Sequence, residues 1–84
     1  MRILWDEPKR LANIDKHGLD FTALTVDFFS SALIRAARGE RFLAIGWVGA
    51  SAVAVVFRPL GAEALSVISM RPANRKEVLI DDST

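Results

Sequence analysis

The chain has 84 residues, a formal net charge of +1 and a mean hydropathy of +0.26, with no cysteine and one histidine. These values exclude disulfides, thiolate metal centres and a zinc cluster of the usual ligands, and at this length a second core would leave each half too small, so one domain over 1–84 is expected. No apolar run approaches the roughly 20 residues of a membrane span and the N-terminus lacks a signal-peptide pattern, which makes the cytoplasm the expected compartment.

The first four residues after Met1 alternate as a short strand and stop at Asp6-Glu7-Pro8. Asp6 is placed to cap a helix over 8–17, with Pro8 in its first turn, Leu11 and Ile14 on its apolar side and Gly18 at a left-handed C-terminal cap. Phe21, Leu24 and Phe28 favour a second short helix over 20–29, capped by Asp20. Strands are expected over 32–35, 41–48, 51–58 and 63–70, joined by turns at 37–40, 49–50 and 59–62. Arg71-Pro72 ends the last strand, and Asn74 caps a short C-terminal helix carrying Arg75, Lys76 and Glu77. The pattern is α+β: a short N-terminal strand, then two helices packed on a four-stranded antiparallel meander, then a short helix.

The hydrophobic fraction of 51% is high for a domain with so much surface, so a partner chain is expected to cover part of it. Charge is segregated: Arg35, Arg38 and Arg41 form one basic group and Arg71, Arg75 and Lys76 another, with Asp81-Asp82 at the tail. Solvated surface explains such groups as readily as an anion-binding face, and no helix has the dense basic face of a major-groove DNA reader.

Several elements, in this order, resemble one family signature: Trp5-Asp6, Asn13-Ile14, Lys16-His17-Gly18 with Phe21, Glu40-Arg41, Ile45-Gly46, Val55-Val56-Phe57-Arg58, Val67-Ile68-Ser69, Arg71-Pro72-Ala73 and Lys76-Glu77. The signature is that of the BrnT family of type II toxins, and the resemblance covers nearly the whole chain. It implies a RelE-like fold, an endoribonuclease that inhibits translation, no cofactor, and a BrnA-like antitoxin partner with a ribbon-helix-helix DNA-binding domain. The chain departs from the family pattern in having Phe57 where tyrosine is frequent, Met70 where alanine is usual, and a tail without its common tyrosine. It has no tyrosine at all, so no phenol can serve as acid, base or stacking group.

Metal-independent RNA cleavage needs a base for the ribose 2′-hydroxyl, cations for the charge building on the phosphate, and a proton for the leaving oxygen. His17 is the expected proton carrier. Arg58 and Arg71, if their strand ends converge on one sheet edge, clamp the phosphate. Glu77 serves either as base or to orient an arginine, and Lys16, Arg41, Arg75 and Lys76 are the expected RNA contacts. Plainer roles stand beside these. His17 can simply end the first helix, Lys16 can be solvated, and Arg58 can pair with Glu63 across the turn between them. Trp5 and Trp47 suit core or interface as well as base stacking. A second function of a different kind is a catalytically weak module that binds a DNA-binding antitoxin and contributes to operon autoregulation.

Overall fold

The computed structural model describes residues 1–82, with side chains through Leu79, so the Asp81-Asp82 pair lies outside the described side chains. The chain order is β1 (Arg2–Trp5), α1 (Glu7–His17), a 3₁₀ turn (Phe21–Ala23), α2 (Val26–Ser31), β2 (Leu33–Ala36), β3 (Phe42–Val48), β4 (Ser51–Leu60), β5 (Ala64–Pro72) and α3 (Arg75–Asp82). The described residues form a five-stranded sheet in the order β1-β5-β4-β3-β2. Strands β2 to β5 make the expected antiparallel meander, and β1 joins it as a fifth strand, parallel to β5, with Arg2 opposite Ala64 and Trp5 opposite Val67.

Local chemistry sets the element ends. Asp6 holds the extended backbone of an N-cap residue, but its side chain makes no capping bond; Glu7 and Pro8 occupy the first turn. Arg10 pairs with Glu7 one turn back and with Asp20 at 3.0 Å. Gly18, at φ 69°, closes α1 by donating its amide to the Ile14 carbonyl at 2.7 Å, in a conformation that costs a residue with a Cβ.

The segment expected as one helix over 20–29 is two pieces, because it contains two competing caps. Asp20 accepts from the Thr22 amide at 3.0 Å and starts the 3₁₀ turn; Thr25 accepts from the Phe28 amide at 3.1 Å and starts α2, and Leu24 between them is extended. The Thr22 amide and the Arg10 guanidinium hold the Asp20 carboxyl below its ordinary range. Strand β4 also runs past Pro59 to Leu60, beyond the expected end. Since β3 begins opposite Phe57, β4 is an edge strand at Pro59, where a missing N–H is tolerated.

One sheet face carries the main core. Val53, Val55 and Phe57 of β4, Leu65, Val67 and Met70 of β5 and Ala44 of β3 meet Phe21, Leu24, Phe28 and Phe29. Phe28, Phe29, Phe57 and Phe42 form a chain of ring contacts with centroid separations of 5.0, 5.3 and 5.9 Å. Helix α2 lies close on β3 because position 46 is glycine: a Cβ there would stand 3.1 Å from the Phe28 ring. The expectation for Leu11 is corrected, since it is 54% exposed and faces away from the core.

Helix α1 is fastened to the sheet by one buried side chain. Strand β1 covers the outer edge of β5 only as far as Val67. Beyond it, Asn13 takes over: its Oδ1 accepts from the Met70 amide at 3.0 Å and its Nδ2 donates to the Leu19 carbonyl at 2.9 Å. Replacing Asn13 with alanine strands both backbone groups and is expected to cost about 2 kcal/mol. In a chain of this size that lowers the melting temperature by about 10 °C, with an unchanged urea m-value.

Candidate functional site

The sheet face opposite the main core carries charge. Strand register places Arg58 opposite Ser66, and Arg71 opposite Ala54, on that face. Between these rows lies a β-bulge in β5, where Val56 faces Ser69 while Phe57 faces Val67, leaving Ile68 as the extra residue. Bulges of this kind redirect side chains at sheet edges.

Helix α1, held by Asn13, runs beside the bulge and makes a groove with it. One cavity of ≈ 250 Å³ is lined by Lys9, Lys16 and His17 of α1 and by Ile68 and Ser69 of β5. A second, of ≈ 170 Å³, is lined by Lys9, Arg41, Arg58, Ser66 and Ile68. Lys9 and Ile68 belong to both, so the two cavities adjoin. A further cavity of ≈ 290 Å³ between α2 and the β3–β4 turn is lined by Thr25, Asp27, Ser31 and Trp47 without a cation, and so has nothing to attract an anion.

Five basic groups thus share one groove with no carboxylate to neutralise them. Among the described residues, Lys9, Lys16, His17, Arg41 and Arg58 form no ion pair, and the Arg58–Glu63 pair that stood as an alternative role for Arg58 is not made. No group of three histidine, cysteine, aspartate or glutamate side chains is placed to hold a metal among the described residues.

Arg71 and Glu77 lie elsewhere on the same face and are tied to each other. Arg71 donates from Nη1 and Nη2 to the two Glu77 oxygens at 2.8 and 2.9 Å. Glu77 Oε1 also accepts the Asn74 amide, and Asn74 Oδ1 accepts the Glu77 amide, each at 2.8 Å, which is a reciprocal cap for α3. The Glu77 side chain is only 9% exposed. Arg71 first, then the Asn74 amide and the nearby charge of Arg35, hold its carboxyl below the ordinary range, while Glu77 raises the Arg71 guanidinium further. Arg58 and Arg71 do not converge: their rows are four residues apart along β4, roughly 13 Å at strand rise. Arg75 and Lys76 are exposed on the first turn of α3 and line neither cavity.

Sequence reasoning passed over Lys9 and gave Asn13 no structural task. Their signal was present, since Lys9, Asn13 and Lys16 recur at the i, i+4, i+7 spacing of one helix face. A polar stripe at that spacing marks either solvent or a site, and only packing against β5 tells which.

The matches to known proteins agree with this fold. The chain matches, over residues 5–77, the family described as ribonuclease toxin, BrnT, of type II toxin-antitoxin system. It is similar to the crystal structure of the Brucella abortus ribonuclease toxin BrnT, with 54% identity and a TM-score of 0.84, covering 89% of this chain and 99% of that one. No curated protein matches it. The chain belongs to the BrnT family of ribonuclease toxins, as the residue pattern implied. A toxin of this type has an RNA substrate and an antitoxin partner. Among the described residues no helix is long and apolar enough to cross a membrane.

The Arg71–Glu77 pair makes α3 acid-sensitive. Because the native Glu77 carboxyl sits below its ordinary value of 4.5, its contribution to stability is complete above that pH and is lost as pH falls through the native value. Thermal melts across pH should show Glu77→Gln less stable than the parent at neutral pH, with the difference shrinking on acidification below 4.5.

Proposed function

We propose that the groove between α1 and β5 is where RNA is bound and cut, by a metal-independent transesterification. The observation that supports this most is the gathering of Lys9, Lys16, His17, Arg41 and Arg58 around two adjoining cavities without a carboxylate partner. His17 takes the proton from the ribose 2′-hydroxyl. The 2′-oxygen attacks the adjacent phosphorus, the bond from phosphorus to the 5′-oxygen breaks, and the proton returns to that leaving oxygen through His17 or water. The products are a 2′,3′-cyclic phosphate and a free 5′-hydroxyl. Arg58 and Arg41 neutralise the phosphate as its charge grows, and Lys16 holds the strand.

In this reading Arg71 contacts a phosphate further along the strand, and Glu77 orients Arg71. A buried carboxylate held below its ordinary range, with both oxygens occupied, is a weak base at neutral pH. Arg75 and Lys76 extend the positive path over α3. The departures at Phe57 and Met70 remove no group from the groove, because both side chains are buried in the core. The partner is a BrnA-like antitoxin with a ribbon-helix-helix domain, the setting is the cytoplasm, and the result of cleavage is inhibited translation.

Incubating the purified chain with a defined messenger RNA in excess chelator tests the reading. Cleavage should persist in chelator and leave 5′-hydroxyl ends. His17→Ala and Arg58→Ala should each lose about 100-fold or more in rate. Cleavage unchanged in both variants would remove the groove from the chemistry. Arg71→Ala, run in parallel, should weaken RNA binding more than it slows the bound complex.

A further inference from the structure

We infer that the groove is two consecutive subsites for one RNA strand, and that Lys9 is the cation holding the phosphate that passes between them. The inference rests on the groove being the RNA site. Lys9 and Ile68 are the two residues that line both cavities. The two cavities, of ≈ 250 and ≈ 170 Å³, are open to solvent and meet along Lys9 and Ile68, so they form one continuous trough rather than two closed pockets. A polynucleotide lying along the trough passes from one cavity to the other and crosses the divide at these two residues.

The divide has the chemistry for that crossing. Ile68, pushed out of register by the bulge, is an apolar partition with one hydroxyl on each side: Ser66 in one cavity and Ser69 in the other. Each side also has its own cations, Arg41 and Arg58 in one and Lys16 and His17 in the other. Lys9 faces the partition from α1. It is exposed and has no ion-pair partner among the described residues, and its ammonium offers three donors on a long stem that reaches to either side. Asn13, one turn further along α1, anchors the helix to β5 and so sets where that stem starts. Lys9 acts as a binding residue at the scissile or adjacent phosphate, with no proton to move.

The test measures binding of a short, uncleavable 2′-O-methyl oligoribonucleotide across a salt series, using the whole chain and the variants Lys9→Ala, Lys9→Arg and Arg58→Ala. Equal melting temperatures establish that each is folded. Lys9→Ala should bind about fivefold more weakly and reduce the magnitude of the log–log salt slope by about 0.7, the loss of one phosphate contact on a single strand. Lys9→Arg should restore most of the affinity. In cleavage assays Lys9→Ala should raise KM more than it lowers kcat. If Arg58→Ala weakens binding and Lys9→Ala leaves both affinity and slope unchanged, the role of Lys9 is overturned while the groove stands. If neither variant weakens binding, the groove reading and this inference fall together.

Discussion

The position of helix α1 depends on the two hydrogen bonds of Asn13. Strand β1 satisfies the outer edge of β5 only to Val67, and beyond it the Met70 amide would be left without a strand partner. Asn13 supplies the missing acceptor and, through its amide nitrogen, ties down the Leu19 carbonyl of the loop that leads into the core. A buried amide with both ends occupied is directional in a way that apolar packing is not, so it sets helix position as well as helix proximity. Lys9 and Lys16 lie on the same stripe of α1 as Asn13, and His17 follows directly. Their approach to the β5 bulge therefore follows from this one side chain.

The electrostatics of the chain are decided by which charges are paired. A net charge of +1 describes a nearly neutral protein, yet acids are spent in particular places: Glu7 and Asp20 on Arg10, and Glu77 on Arg71. The groove cations have no such partners. Unpaired positive charge therefore lines this groove although the chain as a whole is nearly neutral.

Two positions that depart from the family pattern illustrate how packing absorbs a change that sequence alone makes look chemical. Phe57 lies between the Phe29 and Phe42 rings, and Met70 is 1% exposed beneath the α1 junction. Both point to the core face, whereas Arg58 and Arg71, their neighbours in sequence, point to the opposite one because side chains alternate along a strand. A missing phenol at position 57 is a matter of core filling.

The sequence by itself determined the elements and their punctuation. Apolar runs bounded by turn residues marked β2 to β5, Gly18 and Asn74 marked helix ends through their local backbone chemistry, and the residue pattern carried the family. It also contained every cation of the groove. What it left open depended on distance between residues well separated in the chain: the pairing of β1 with β5 and the separation of Arg58 from Arg71. Residues of the same type carry the same local signal whether they end up in a groove, in an ion pair or in water. Arg71 and Glu77 became a clasp where α3 follows the end of β5, and Lys9 joined His17 and Arg58 only when Asn13 brought α1 against the sheet edge.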